Sequence, residues 1–270
     1  MKSEKVNILS SQSFLGMAVI AITSGKGGVG KTTVSANLAV VFSAFADVTV
    51  VDCDFVLPNL HLQFGMDNPP VGLVEVISEN ASMNEPIYKL KARVGNYITS
   101  LNFVPSLSSP HFLKNFDEIR FREFIEFLEK KSDIVVLDVS AGLSKLALLS
   151  LSVADEVYIV ANPEISSLNT ASKVLRVLNE MNKARSGAIF NRYGGEKSIV
   201  NSATSMLGIE LLGLIRNSKL IPESWEAGVP VVSFKPKSGV AKDFIVTAER
   251  VLGIRDRIRI YGKLRLRFDR

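Results

Sequence analysis

Short runs of apolar, β-branched residues alternate along the chain with longer segments of helical spacing. Val48–Val51 and Ile134–Leu137 are almost uninterrupted apolar runs, which is typical of strands buried on both faces of a parallel sheet. Seven segments are predicted to be strands: Met17–Thr23, Val48–Asp52, Ile98–Val104, Ile134–Asp138, Val157–Ala161, Gly187–Phe190 and Leu211–Ile215. The segments predicted to be helices include Lys31–Phe45, Asp117–Lys131, Ser166–Asn182, Ile199–Leu207 and Val240–Leu252. This alternation predicts an α/β fold with a doubly wound, mostly parallel sheet and helices on both faces.

The composition supports a buried core and excludes several classes of protein. Hydrophobic residues make up 47% of the chain and charged residues 22%, which argues against intrinsic disorder. Cys53 is the only cysteine, which excludes a disulfide framework and any metal site that needs several thiolates from one chain. No apolar run approaches the roughly 20 residues of a transmembrane helix. We therefore expect a cytoplasmic protein.

A phosphate-binding motif lies between the first predicted strand and the first predicted helix. The residues from Gly25 to Thr32 read Gly-Lys-Gly-Gly-Val-Gly-Lys-Thr and fit the P-loop pattern G-x-x-x-x-G-K-[ST]. Its glycines let backbone N–H groups approach phosphate oxygens, and the following helix points its positive end at the same charge. Lys31 is expected to pair with the β- and γ-phosphates, and the Thr32 hydroxyl to ligate Mg²⁺. The predicted nucleotide contacts of this loop are Gly25, Lys26, Gly27, Gly28, Val29, Gly30, Lys31, Thr32 and Thr33.

Carboxylates follow two of the other predicted strands. Asp52 and Asp54 fall on the same side of the chain at the carboxyl end of the second strand, where ligands bind in open α/β sheets. Cys53, between them, points the other way and is predicted to be a core thiol. Asp138 ends the Ile134–Leu137 run in the manner of a Walker B motif, so we expect it to bind Mg²⁺ through water.

The second lysine of the loop, Lys26, gives the pattern Lys-Gly-Gly-x-Gly-Lys-Thr, which resembles the deviant Walker A motif of the MinD/ParA ATPases. The resemblance extends from Met17 to about Gly253. It implies that Lys26 reaches the phosphates of the partner subunit in a dimer that sandwiches ATP. It also implies that Asp52 lies near Mg²⁺ and that Asp54 orients or activates the attacking water. The implied catalytic residues are Lys26, Lys31 and Asp54, and the implied metal site comprises Thr32, Asp52 and Asp138.

Later segments resemble the same family, with some departures. The resemblance implies that Gly142 offers its N–H to the γ-phosphate as the sensor of switch II, and that Asn191 contacts the adenine. Ser140 and Arg216 stand where relatives often have proline. We expect Ser140 to make the switch II loop less rigid and Arg216 to change the packing on the base. His61 stands where many relatives carry aspartate, and we interpret it as structural.

The positive charge of the chain is concentrated in its last segment. From Arg250 to Arg270, eight basic residues accompany two acidic ones, a net charge of +6, whereas the whole chain carries +5. Apolar and basic residues alternate there with a period of two, interrupted at Tyr261-Gly262, which favours a strand or hairpin. The resembling MinD proteins end instead in a basic amphipathic helix that docks on membranes, and both interpretations stay open. The predicted organisation is an N-terminal extension (1–16), a P-loop ATPase domain (17–253) and a basic tail (254–270).

The leading hypothesis is a MinD-like ATPase that binds ATP and ADP with Mg²⁺ and forms a homodimer with ATP. It would associate reversibly with the inner face of the cell membrane through residues 254–270 and would act with an activating or cargo protein. In this way it would position the division site or polar machinery. The alternative is a ParA-like ATPase that binds DNA during chromosome or plasmid partitioning. A nearly neutral body counts mildly against DNA binding. A single cysteine disfavours an iron–sulfur carrier on the same scaffold, and Lys26 makes a P-loop kinase a poor match.

Overall fold

The computed structural model describes residues 18–107, 116–183 and 186–253. The expected extension at residues 1–16 and the expected tail at residues 254–270 lie outside these ranges, so both stay predictions. No helix within the described ranges combines the length and the apolar character needed to cross a membrane.

The described residues form one eight-stranded sheet in the spatial order β3-β4-β2-β5-β1-β6-β7-β8. The strands are β1 (Ala18–Thr23), β2 (Val48–Cys53), β3 (Tyr88–Val94), β4 (Tyr97–Val104), β5 (Ile134–Val139), β6 (Glu156–Ala161), β7 (Ser186–Tyr193) and β8 (Glu210–Arg216). Only β3 runs antiparallel to its neighbour; all other adjacent pairs are parallel. The predicted doubly wound α/β fold is thus confirmed.

Helices cover both faces of this sheet. They are α1 (Lys31–Phe42), α2 (Leu73–Ile77), α3 (Glu118–Glu129), α4 (Lys145–Ser152), α5 (Ile165–Glu180), α6 (Lys197–Leu207), α7 (Leu220–Glu226), α8 (Val231–Phe234) and α9 (Gly239–Val251), with a 3₁₀ helix at Leu60–Phe64. One core layer contains Phe121 and Phe124 of α3 with Leu168 of α5, and the other contains Leu38 of α1 with Phe244 of α9. β2 and β5 lie between these layers, which explains their continuous apolar sequences.

All seven predicted strands are present, but β3 was not predicted. Lys89, Lys91 and Arg93 alternate along it with partly buried residues, so it lacks the apolar run that marks the central strands. The short helices α2, α4, α7 and α8 were also not predicted, and α1 ends at Phe42 rather than at Phe45. Helices of four to eight residues contain too few turns for a periodic pattern to be read.

The topology places the P-loop motif at the centre of the molecule. β1 lies between β5 and β6, and the loop that follows it leads into α1. β5 pairs with β1 and β2 pairs with β5, all in parallel, and Asp52 lies in register with Asp138. The three sequence motifs therefore meet at one edge of the sheet.

Candidate functional site

The P-loop folds so that the first turn of α1 is open to an anion. Gly30 caps this helix with a φ of +91°, a left-handed conformation that favours glycine, and it has no side chain that could bond to the N-terminal N–H groups. These donors and the positive end of the helix dipole suit a phosphate group. The loop residues Lys26, Gly27 and Gly28 are exposed, whereas Lys31 is buried.

The loop also fits closely against two other elements. A side chain at Gly25 would collide with the backbone of Thr170 on α5, and one at Gly30 would collide with the amide of Asn191 at the end of β7. Asn191 is buried, and its Nδ2 donates a hydrogen bond of 2.8 Å to the Val29 carbonyl. The residue expected to contact adenine therefore lies directly against the P-loop.

A buried ion pair links the P-loop to the end of β5. Lys31 Nζ lies 2.7 Å from Asp138 Oδ1, and the two side chains are 9% and 1% exposed. Ser35 Oγ donates to the same carboxylate oxygen over 2.7 Å. Because Ser35 lies one helical turn after Lys31, α1 presents both donors on one face. Sequence reasoning missed Ser35, although its spacing from Lys31 was a signal that could have indicated it.

The donor set at this point fits a hydrated Mg²⁺ ion. The second oxygen of Asp138, Oδ2, is buried and has no hydrogen-bond partner. The Thr32 hydroxyl lies 3.4 Å from Lys31 Nζ, at the same corner of the site. Among the described residues, no group of three His, Cys, Asp or Glu side chains is arranged to hold a metal. Magnesium rarely needs such a cage, because it usually keeps several waters and binds substrate phosphates with one or two protein oxygens.

The two carboxylates after β2 have different surroundings. Asp52 is completely buried and accepts hydrogen bonds of 3.0 Å from the backbone N–H groups of Asp54 and Leu60. Burial, followed by the nearby charge of Asp138, raises the pKa of Asp52 to about 8. Asp54 is half-buried, and its Oδ1 accepts hydrogen bonds from the N–H groups of Val56 and Leu57. In this structure Asp52 anchors the loop after β2, and Asp54 shapes its first turn.

Cys53 lies between these carboxylates and is buried in the core, as predicted. Burial, followed by the charges of Asp52 and Asp138, raises the pKa of its thiol. A thiol held in the neutral form is a poor nucleophile.

Lys26 and Gly142 contact the neighbouring loops. Lys26 is exposed, and its Nζ lies 3.4 Å from Ser166 Oγ at the start of α5. The N–H of Gly142, the expected phosphate sensor, donates a 2.8 Å hydrogen bond to the Ser24 carbonyl just before the P-loop. The loop after β5 is thereby joined to the loop after β1.

Comparisons with known proteins agree with this geometry. Residues 17–189 match the family model described as an AAA domain. The chain is 31% identical over 237 residues to an uncharacterized ATP-binding protein of Methanocaldococcus jannaschii, with 87% of each protein covered. The crystal structure of the Pyrococcus furiosus cell division ATPase MinD superposes with a TM-score of 0.79 at 32% identity, covering 88% of this chain and 100% of that one. The septum site-determining protein MinD of Pyrococcus horikoshii, complexed with Mg-ADP, superposes with a TM-score of 0.78 at 33% identity, covering 87% and 95%.

The chain belongs to the MinD/ParA family of P-loop ATPases. The structure brings together the residues that the family motifs indicate: the P-loop, Asp52, Asp138 and Asn191 all lie at one edge of the sheet. The individual catalytic, nucleotide-binding and metal-binding roles stay predictions.

One departure from the MinD/ParA pattern has a clear structural partner. Arg216, at the end of β8, forms a bidentate pair with Asp243 of α9, with Nε–Oδ2 and Nη2–Oδ1 distances of 2.6 and 2.8 Å. Hydrogen bonding to this carboxylate, followed by its charge, raises the pKa of Arg216. The guanidinium also packs over Gly239, where a side chain would collide with it. Asp243 was not singled out from the sequence, because it lies 27 residues away on a helix.

Proposed function

We propose that this protein is a MinD-type nucleotide switch that binds ATP with Mg²⁺, dimerises across two nucleotides and hydrolyses ATP slowly until a partner protein stimulates it. The observation that carries the proposal is the pair of lysines in one P-loop. Lys31 is buried against Asp138, while Lys26 is exposed at the surface of the same loop. Its exposed position would let Lys26 reach outward to the phosphates held by a second subunit.

Binding ATP would require Lys31 to exchange partners. Its ammonium group is held by Asp138, and the β- and γ-phosphates would take that place. Asp138 and Thr32, with Asp52 behind them, would then hold Mg²⁺, which neutralises phosphate charge when bound. Asp138 Oδ2 supports this assignment, because a buried carboxylate oxygen without a partner costs free energy unless a ligand or water satisfies it.

Hydrolysis would depend on Asp54. It is half-buried, and its carboxylate lies at the start of a loop that Asp52 ties down at Leu60. We propose that this loop rearranges so that Asp54 accepts a proton from, or orients, the attacking water. Gly142 would change its partner from Ser24 to the γ-phosphate, and Asn191 would contact the adenine.

Exposed apolar side chains around the P-loop support dimerisation at this face. Val56, Leu57, Leu143 and Ile165 follow the ends of β2, β5 and β6 and are 56%, 74%, 37% and 76% exposed. Apolar patches of this kind mark surfaces that become covered by a partner. The molar mass of the Asp54→Ala variant, measured by light scattering, should double with Mg-ATP and should remain that of a monomer with Mg-ADP. Lys26→Ala should stay monomeric with either nucleotide.

The proposed cellular role is spatial regulation at the membrane. A solved complex of MinC with MinD from Aquifex aeolicus, 28% identical to this chain with a TM-score of 0.77, supports the existence of a protein partner. The basic, alternating segment 254–270 would add a contact with the inner face of the cell membrane, worth about 1 kcal/mol per cation. Two such segments in an ATP-bound dimer would bind with avidity.

Co-sedimentation with anionic lipid vesicles tests this role. The full chain should pellet with Mg-ATP and not with Mg-ADP, and a chain that ends at Gly253 should not pellet with either. Pelleting independent of nucleotide, or of residues 254–270, would contradict the proposed switch. Retention on non-specific DNA with ATP, weakened by salt, would favour the partitioning alternative instead.

A further inference from the structure

The outer face of the β3–β4 hairpin is a basic surface far from the P-loop. Lys89, Lys91 and Arg93 of β3 are exposed and lie opposite Asn102, Ser100 and Ile98 of β4. We call these six residues the hairpin surface. Asn102 pairs with Thr49 near the start of β2, whereas the nucleotide motifs lie at the ends of the parallel strands. The hairpin surface therefore belongs to the opposite end of the sheet.

The three cations of the hairpin surface form no ion pair within the described ranges. No carboxylate oxygen of those residues lies within 4.0 Å of the cationic groups of Lys89, Lys91 or Arg93. At one end of the hairpin surface, Lys89 and Lys131 border a groove of about 220 Å³, together with Asp47. Ile98, which is 77% exposed, adds an apolar contact at the other end.

β3 also offers an edge for strand pairing. It is the outermost strand on its side of the sheet, and both the N–H and the C=O of Arg93 bond to Ser233 Oγ of α8 rather than to β4. In an antiparallel pair the residues alternate between those that bond to the neighbouring strand and those that point away from it. The main-chain groups of Lys89 and Lys91 therefore point away from β4 as well. Ser233 bonds to the edge at Arg93, and no described residue bonds to the outward main-chain groups of Lys89 or Lys91.

We propose that β3 binds an acidic, extended segment of a partner protein, which adds a strand to the sheet beside Lys89 and Lys91. An added strand shares the two-residue repeat of β3, so alternate acidic side chains would face alternate basic ones. Lysines on an edge strand discourage pairing with apolar strands, and acidic side chains on the added strand would offset that effect by pairing with the lysines. Nucleic acids and lipids match the charge, and their phosphate oxygens can accept hydrogen bonds, but they lack the alternating N–H and C=O groups of an extended peptide that would pair with both the outward N–H and the outward C=O groups of β3. This inference is independent of the proposed nucleotide switch.

A charge-reversal experiment tests the surface. The probe is a short fluorescein-labelled peptide of alternating glutamate and threonine, titrated with the full chain by fluorescence anisotropy. Lys89→Glu with Lys91→Glu should weaken its binding by at least about tenfold, as expected for the loss and reversal of two charge pairs. The matched control is Lys173→Glu with Lys242→Glu, which changes the net charge equally on exposed positions of α5 and α9 and should leave binding unchanged. Equal weakening by both double variants, or no binding of the peptide to the unaltered chain, overturns the proposal.

A second comparison separates strand addition from charge attraction. Lys91→Pro removes the outward N–H without removing a bond to β4, and Lys91→Gln removes the same charge but keeps the N–H. Lys91→Pro should weaken binding several-fold more than Lys91→Gln, with thermal unfolding used to check that both variants fold. If Lys91→Pro does not fold, a peptide N-methylated at alternate residues makes the same test on the unaltered chain, and should bind much more weakly. Equal binding of the methylated peptide, or tighter binding of labelled single-stranded DNA, overturns the proposal.

Discussion

Two ion pairs of almost equal length lie in different surroundings in this molecule. Lys31 and Asp138 are 2.7 Å apart beneath the P-loop, with side chains that are 9% and 1% exposed. Arg216 and Asp243 are 2.6 Å apart at the edge of the sheet, with side chains that are 55% and 14% exposed. Judged by distance alone, the two ion pairs would be expected to be equally strong.

Burial makes the two pairs differ in what they do. A buried pair has lost the hydration of both charges, so it contributes little net stability, although removing one partner is costly. An exposed pair keeps much of its hydration and contributes little in either case. The Lys31–Asp138 pair is therefore better explained by the phosphate chemistry of the loop than by stability. The Arg216–Asp243 pair is better explained by the local fit of the guanidinium over Gly239.

The largest effect is expected at the buried pair. Lys31→Ala would leave Asp138 buried with Ser35 as its remaining partner, and should lower the free energy of unfolding of the nucleotide-free protein by about 3–5 kcal/mol. The same variant should lose ATP binding. Urea unfolding and binding of a fluorescent ATP analogue measure the two effects.

A double variant separates stability from binding at this pair. Lys31→Met with Asp138→Leu replaces both charges by apolar side chains, so it should recover most of the lost stability while still failing to bind ATP. If the double variant binds ATP normally, the assigned role of Lys31 is wrong.

The carboxylates after β2 repeat the contrast between buried and accessible groups. Asp54→Ala should still bind ATP but lower turnover by about a hundredfold or more, the scale of a lost general base. Asp52→Ala should instead destabilise the loop, because the N–H groups of Asp54 and Leu60 lose their acceptor. Steady-state phosphate release and urea unfolding distinguish these outcomes. Normal turnover in Asp54→Ala would contradict its assignment.

A neutral contact of intermediate burial should have an intermediate effect. Trp225 is the only tryptophan of the chain, and its Nε1 donates a 2.9 Å hydrogen bond to Oγ1 of Thr33. Thr33 directly follows Thr32 of the P-loop. Thr33→Val should lower the free energy of unfolding by about 0.5–1.5 kcal/mol, the usual contribution of one hydrogen bond. Thr33→Ser is the matched control and should keep the stability. The fluorescence of Trp225 should change on ATP binding in the unaltered chain, and an unchanged spectrum would show that α7 does not sense the loop.

The smallest effect is expected at the exposed pair. A double-mutant cycle of Arg216→Ala and Asp243→Ala should give a coupling free energy of about 0.2–1 kcal/mol, smaller in high salt. A coupling free energy as large as that between Lys31 and Asp138 would mean that solvent exposure does not decide the strength of these ion pairs.

Much of the fold and the site could be predicted from local sequence patterns. The central strands are buried on both faces, so their apolar runs stand out, and the P-loop is a contiguous motif whose spacing carries its chemistry. β3 could not be predicted in the same way, because an edge strand with a solvated face has no such run. Asp243 could not be ranked above other polar residues, and the spacing of Ser35 from Lys31 could not by itself indicate Asp138 as the shared partner, since a contact between distant segments depends on how the helices pack.

Sequence patterns alone predict a mostly parallel α/β sheet with a deviant P-loop, and they show that Asp52 and Asp138 each follow a buried strand. These properties are local, because each depends on residues within one strand, one turn or one motif. The packing of distant segments, in contrast, sets three contacts: Asp138 is held by Lys31 and Ser35, Asn191 bonds to the P-loop, and Asp52 anchors its loop at Leu60. This packing also leaves the basic face of β3 open to solvent. These properties depend on burial, and burial is set by how the whole chain packs around the sheet.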